Sequence, residues 1–505
     1  MFNFFRNKKA EQPQIRKIGM RKHRKIFVDK KVEQFTRQLQ DRSLGLVGDR
    51  LDENLSKDTI TGSFNKALKS SAKRLYDQGR TLALNTSVGA RYVQHVCDHV
   101  VGTGLDPKPM VTDSNGKMNT KTNKEIERVF WAWAGSQKRF SRNGRFNFRE
   151  LLAMCEKERI MGGEAFVVLH EEGRNLTVSV LSADKCDWTD CRKLEDNRTV
   201  YQGIEYDNDT LRPVAYWFRR YDLFTQTFTG EKYRVEAEKV FHYYIPATAE
   251  ALRGITDFLP VIKDIAHMDA FRETAIIQKR IAASSMGFIE RPKEAENEFD
   301  TGEDEGFYQP TTLVTDFEPG TIQELEAGAT IKSIQATQGG DDFDKFNEAM
   351  LTSVSMGLCT FKQGLTGDTA SINYSSARFG ALTERNRFKG IQNRLIEIVV
   401  MPLFEAFLRH AVLHSLANVR MSQIDNIILN TTFIRPKYES VDPIKDINAE
   451  VTLIEKGLKS RTAVILERGD DPEKVFSEIE AEKVHLNTSV ASDGENKNPP
   501  ESQEE

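Results

Sequence analysis

The sequence has no apolar run long enough to cross a bilayer; its most apolar helical stretch, residues 395–413, is broken by Glu397, Glu405, Arg409 and His410. With 29% charged residues and a mean hydropathy of −0.51, a soluble chain with no membrane partner is expected. Cysteine is scarce. Cys97, Cys155, Cys186, Cys191 and Cys359 are odd in number and share no repeating spacing, which excludes a disulfide framework. Cys186 and Cys191 stand too far apart for a zinc knuckle and have no second pair nearby, so free thiols in a reducing compartment are expected. The start, MFNFFRNKKAEQPQ, lacks an apolar run ahead of a small-residue cleavage site, so no secretory signal is read and the protein is expected in the cytoplasm.

Catalytic signatures are missing as well. There is no GxxxxGK[ST] loop, no GxGxxG after a strand, no HExxH and no GxSxG, so neither a cradled triphosphate nor another cofactor is predicted. His242, between Phe241 and Tyr243, lies in a strand without a Ser, Cys or Asp partner in view and reads as a packed residue. Glu303, Asp304 and Glu305 form a run of like charges in a glycine-bearing loop. Asp341, Asp342 and Asp344 fall in a helix's first turn, where acids favour the dipole. A metal-dependent nuclease would need carboxylates converging from separate elements. A DNA-processing enzyme of that type is the alternative to a non-enzymatic reading.

What is present is length and an uneven charge. The 505 residues carry a net charge of only −4, yet residues 6–31 are dominated by Lys and Arg while the closing NTSVASDGENKNPPESQEE is acidic and nearly free of large apolar side chains. Both ends read as tails. Between them the apolar period changes repeatedly. Helical spacing from Ser63 to about 101 predicts one long helix capped by Ser63 and stopped at Gly102 and Gly104, and two more follow at 122–135 and 148–161. After Gly162 and Gly163 the period drops to two, and EAFVVLHEE, LTVSVLS, VYQGIEY, PVAYWFRR, LFTQTFT and KVFHYYI predict an antiparallel meander. Helix returns at 257–283, with apolar residues on more than one side, so this rod is expected to lie between neighbours. An acid-rich excursion with strand-like TTLVTDF and TIQEL precedes a second helix at 341–357.

A glycine-spaced loop, KQGLTGDTA, then leads into SINYSSARFGALTERNRF and a long helix over 374–413, which Gly390 and Pro402 are expected to bend. Two helices separated by a Gly-Asp-Asp-Pro turn close the folded part at 443–486. The class is α+β.

This order of parts resembles the portal proteins of tailed bacteriophages, in particular the lambda-type family. The resemblance rests on HVVGTG at 99–104, GGEAFVVL at 162–169, YSSAR at 374–378 and LIEKGLKSRTAVILERGDDPEKVF at 453–476. It implies a ring of about a dozen copies, closed by head-to-tail contacts, at one capsid vertex, a conduit for double-stranded DNA in packaging and ejection. It implies a basic arm at 1–40, a wing at 41–256, stem helices at 257–285 and 337–357, and a clip at 286–336. A tunnel loop would follow at 358–373, then the bent wing helix and its following segment at 374–442, a crown at 443–486 and a disordered acidic tail at 487–505. The implied partners are further copies of the chain, viral DNA, the terminase large subunit, the major capsid protein and scaffold, and a head–tail connector. The implied location is the virion's portal vertex, with assembly in the host cytoplasm. Lys362, Thr366, Arg378 and Arg385 would face DNA, and Arg291, Lys293, Glu303 and Asp304 would meet the motor and connector. A collar of unpaired arginines would grip phosphates through counterion release, so a conduit needs few free cations; Arg385 and Arg387 could instead bridge to a neighbour's Asp341 or Asp344.

Overall fold

The computed structural model describes residues 63–112, 119–283, 287–290, 330–333, 340–368, 373–438 and 443–494. They fall into two compact units, the second formed by Val261–Lys362 and the first by the chain on either side of it.

The first unit begins with α1 (Phe64–Asn85) and α2 (Ser87–Val100) rather than one continuous helix. Thr86 is extended, and its hydroxyl accepts from the Gly89 amide at 3.1 Å, capping α2. A Cβ on Gly89 would lie 2.2 Å from the Leu82 carbonyl, so the break is drawn tight around that glycine. Ser63 precedes α1 but makes no side-chain cap. After β1 (Asp106–Pro109) come α3 (Thr120–Ala134), the single turn α4 (Gln137–Phe140) and α5 (Phe148–Gly162). Asn147 and Glu150 cap α5 reciprocally. Phe130, Trp133, Phe140 and Phe148 from this region meet Phe404 and Phe407 in one aromatic cluster.

The period-two region forms two sheets instead of one meander. Strands β2 (Glu164–Glu172) and β3 (Asn175–Ser182) make a hairpin. The five strands β4 (Arg192–Lys193), β5 (Arg198–Tyr201), β6 (Ile204–Asp207), β7 (Pro213–Asp222) and β8 (Thr227–Glu236) run as an antiparallel ladder of their own. Strand β9 (Val240–Tyr244) then leaves that ladder and returns to β2, with Phe166 opposite His242. The two sheets share a core of Phe166, Val168, Cys186, Ile204, Tyr216 and Phe218.

The second unit contains α6 (Ile262–Ala283) and α7 (Gly340–Gly357), with β10 (Gly287–Glu290) paired antiparallel to β11 (Thr330–Ser333). The two helices meet through Phe271, which contacts Phe343 and Phe346. Arg272 donates to Asn347 Oδ1 at 2.9 Å, and Ser353 to Asp264 at 2.6 Å. The segments TTLVTDF and TIQEL lie outside the described residues.

The loop expected at 358–373 contains a short helix, α8 (Lys362–Thr366). The long helix follows as α9 (Tyr374–Leu395), a five-residue π-turn at Ile396–Val400, and α10 (Met401–Leu413). Gly390 does not interrupt it. The irregularity sits immediately before Pro402, whose missing N–H and bulky ring are absorbed by the wider turn. After α11 (Ile424–Leu429), strand β12 (Thr431–Ile434) pairs antiparallel with β1. The chain closes with three helices rather than two: α12 (Pro443–Glu455), α13 (Arg461–Glu467) and α14 (Pro472–Gly494). Gly457, at φ +72°, makes the extra corner, and α14 continues into the stretch from 487 expected to be a disordered tail. Among the described residues, no helix is long and apolar enough to cross a membrane.

Candidate functional site

The stretch singled out in the sequence becomes α9, opened by Asn373, whose side chain accepts from the Ser376 amide at 2.9 Å. One face of α9 is fastened to α2. His95 Nε2 lies 3.0 Å from Glu384 Oε1, Phe388 stacks on His99, and Gln392 Nε2 donates to the carbonyls of His99 and Val100 at 3.0 and 3.2 Å. Tyr438 also donates to the His99 carbonyl, at 3.0 Å. The HVVGTG motif thus supplies the backbone acceptors on which α9 is seated. Gly364 of α8 rests on the same pair: a Cβ there would come 3.0 Å from His95 Cε1 and 3.4 Å from Glu384 Oε2.

Further along, Arg387 reaches into a buried relay of ionic groups. Its guanidinium donates to Tyr92 Oη at 2.9 Å, and Tyr92 donates to Asp257 at 3.0 Å. Arg159 grips Asp257 with two hydrogen bonds of 2.7 and 2.9 Å and Glu156 with two of 3.0 and 2.8 Å, and Tyr243 completes the chain with a 2.8 Å bond to Glu156. Burial pushes the Tyr92 and Tyr243 hydroxyls well above their usual range, keeping both as donors. Burial alone would lower Arg159, but Asp257 and Glu156 raise it far above its ordinary value. A cavity of about 540 Å³ adjoins the relay, with Arg159, Asp257, Arg387 and Arg394 among its walls.

The residues predicted to face DNA are all engaged within the chain. Lys362, the last residue of the second unit, pairs with Glu348. Thr366 Oγ1 accepts from the Asp368 amide at 3.3 Å. Arg378 donates to Asp446 of α12 at 2.7 Å. The Arg385 guanidinium lies 5.1 Å from the centre of the Tyr438 ring, and Arg387 meets Tyr92 and Asp257 within the chain. Arg291, Lys293, Glu303 and Asp304 lie outside the described residues. Sequence reasoning passed over Lys389, which is exposed on α9 and has no carboxylate partner among the described residues; its place one position, about 100° of helix, beyond the apolar Phe388 was the available signal.

His242 has a partner that sequence proximity could not reveal. Its Nε2 lies 2.8 Å from Glu164, which also binds the fully buried Arg253. Burial works to raise the Glu164 carboxyl, yet Arg253 and His242 hold it down to about 2, while burial lowers His242. Arg253 further donates to the carbonyls of Gln202, Ala183 and Cys186, tying the two sheets together. All five cysteines are free thiols. Among the described residues, no three or more His, Cys, Asp or Glu side chains converge as a metal site. The arrangement fixes positions and neutralises charge.

The profile of the family described as "Phage portal protein, lambda family" matches residues 53–392. The chain belongs to the lambda family of phage portal proteins. The Probable portal protein of Halomonas phage phiHAP-1 is 21% identical over 437 residues, covering 85% of this portal chain and 84% of that relative. The Portal protein of Escherichia phage N15 is 22% identical, and Portal protein B of Escherichia phage lambda 21%. Each of these alignments covers 47% of this chain, and 49% and 48% of the relative respectively. Among solved structures, the neck of a native gene transfer agent particle computed with C12 symmetry is similar at 14% identity and a TM-score of 0.41, over 76% of this chain and 90% of that one. The neck of the empty particle, computed with C6 symmetry, is similar with a TM-score of 0.40 over 80% and 94%.

Proposed function

We propose that this portal chain forms a closed ring of about a dozen copies at one capsid vertex, through which double-stranded DNA passes during packaging and ejection. Membership of the portal family over residues 53–392 carries the reading. Exposed apolar side chains that a neighbouring copy would cover support it: Ile276 and Ile277 on α6, Phe379 and Leu382 on α9, and Ile444, Ile447 and Val451 at helical spacing on α12. In this reading α6 and α7 are stem helices, 286–336 is the clip that meets terminase and connector, and 443–486 is the crown. The protein acts as a conduit and docking platform, without chemistry of its own. Electron microscopy and native mass spectrometry of the purified chain test it. A closed ring with a central opening is expected; monomers or dimers at all concentrations would overturn it.

Residues 362–389 are assigned to the DNA-facing wall. Their internal pairing suits this role, because a cation already matched by Glu348 or Asp446 releases few counterions from a passing duplex. Since Lys362 and Arg378 have acidic partners, neutral substitutions probe them better than charge reversal. Glu348→Gln and Asp446→Asn should unmask cations and make packaging slower and more salt-sensitive. Packaging rates unchanged at every ionic strength would move this segment away from DNA.

A further inference from the structure

On the first unit, away from the relay around Asp257, α3, α4, the β2–β3 turn and α10 enclose a second cavity of about 540 Å³. Its lining is strongly cationic. Arg128, Lys138, Arg139, Arg142 and Arg174 stand against the single carboxylate of Glu172, which is already 3.3 Å from Arg142. Arg128, Lys138 and Arg174 have no carboxylate partner among the described residues. Five like charges around one cleft repel one another and gain from an incoming anion. The floor adds a second, independent sign. His410 is only 7% exposed and lines the cavity, and its Nε2 meets no hydrogen-bond partner of good geometry, the Gly173 backbone being the polar group that faces the ring. A buried ring nitrogen left unmatched costs stability unless a ligand completes it.

The rest of the lining is mixed, with Val129, Ala132, Leu176, Phe407 and Leu416 apolar and Asn175 and Thr177 polar. Trp133 is not available to stack on a nucleotide base. One face is covered by Phe407 at 4.9 Å, Phe140 abuts it edge-on at 4.8 Å, and its Nε1 donates to the Leu176 carbonyl at 2.8 Å. A duplex presents its phosphates on a stiff convex surface and cannot bring them to the floor of a concave cleft. A flexible chain can place carboxylates on the rim and an aliphatic side chain on the floor.

We propose that this cleft is a docking site for an acidic peptide segment of a partner protein, one that alternates carboxylates with aliphatic residues. The probe is a fluorescein-labelled decapeptide of alternating Glu and Leu, titrated into the full chain and followed by anisotropy. Arg128→Glu combined with Arg174→Glu should weaken binding at least about tenfold, since both side chains are exposed and tightly placed charge pairs carry that much. His410→Phe, which keeps the ring's bulk and removes Nε2, should weaken it several-fold while the melting temperature of the free chain holds or rises. The exposed arginine pair keeps the test independent of any folding defect at His410. Peptide affinity unaltered by the arginine pair would overturn the proposal. So would a short DNA duplex that binds more tightly than the peptide and is lost in the same variant. A chain lacking residues 495–505 should bind the peptide as the intact one does. Tighter binding by the shortened chain would assign the cleft to the protein's own acidic end and overturn the assignment to a partner.

Discussion

Arg253 heads the fully buried side chains of the first unit, and every direction in which its guanidinium points meets an acceptor: Glu164, Gln202, Ala183 or Cys186. In the second unit, α6 buries Ile265 and Met268 but leaves Ile276 and Ile277 about half exposed, and α7 buries Leu351 and Val354 but leaves Met356 68% exposed. Around Arg253 the first unit is closed by polar groups that have found one another inside a single chain, although its α9 and α12 leave apolar side chains exposed. The second shows apolar surface on more than one side of its helices, as an element does when it has further surface to cover. Self-sufficiency and dependence on neighbours are therefore distributed along the sequence.

The sharpest way to break this contrast is to remove one partner from the buried trio. Glu164→Ala or Arg253→Met should cost about 3–5 kcal/mol, because each strands an uncompensated charge. Urea unfolding followed by circular dichroism would measure it. Gly254→Ala comes next. Its new Cβ would lie 2.0 Å from the Gly163 carbonyl oxygen, and Gly163, at φ +93°, has no room to retreat from the backbone of Gly254 and Ile255. A loss of about 1–3 kcal/mol or more is expected, read as a fall in melting temperature.

Glu158 gives a smaller, pH-dependent effect. Burial, against the opposing pull of Arg80, raises its carboxyl from 4.5 to about 7, and its Oε2 has no hydrogen-bond partner. The folded chain therefore holds this proton more tightly than the unfolded one. Its favourable contribution is complete below about pH 4.5 and is lost as pH rises through 7. Glu158→Gln should melt several degrees above the parent at pH 8, with the gap closing by pH 5. Smallest in folding energy, and the test of the second region, is Ile276→Ser with Ile277→Ser. Exposed positions cost within about 0.5 kcal/mol, so the isolated chain should melt almost unchanged. Ring formation by native mass spectrometry should fall steeply. Intact rings would mean that this surface covers nothing.

Much of the element order was legible because the apolar period changes at Gly162–Gly163 and again near 257, and each change marks a real boundary between helix and strand. The return of β9 to β2 was not legible. It joins His242 to Glu164 across 78 residues, and no local pattern announces such a pairing. The same holds for the cations: Arg387 meets Tyr92 across 295 residues and Arg378 meets Asp446 across 68. The residue types were conspicuous in the sequence, but whether each was free or matched depended on chain closure. Thr86 could have been suspected, since a β-branched residue with a hydroxyl just ahead of Val88 and Gly89 suits a cap better than a helix interior.

The pairing of β1 with β12 has a consequence for how the chain is made. Asp106 lies opposite Ile434, so a strand synthesised early must wait for one that appears more than three hundred residues later. At roughly 5–20 residues per second of translation, that wait lasts from about fifteen seconds to about a minute. During it the second unit's helices emerge, and the seat beside His99 stays uncovered until α9 itself has been made. A ribosome-bound chain ending anywhere before residue 434 should therefore remain open to proteases and chaperones. The first 260 residues form the larger share of the first unit's sheets, but the timetable for closing that unit is set by its last part to be translated.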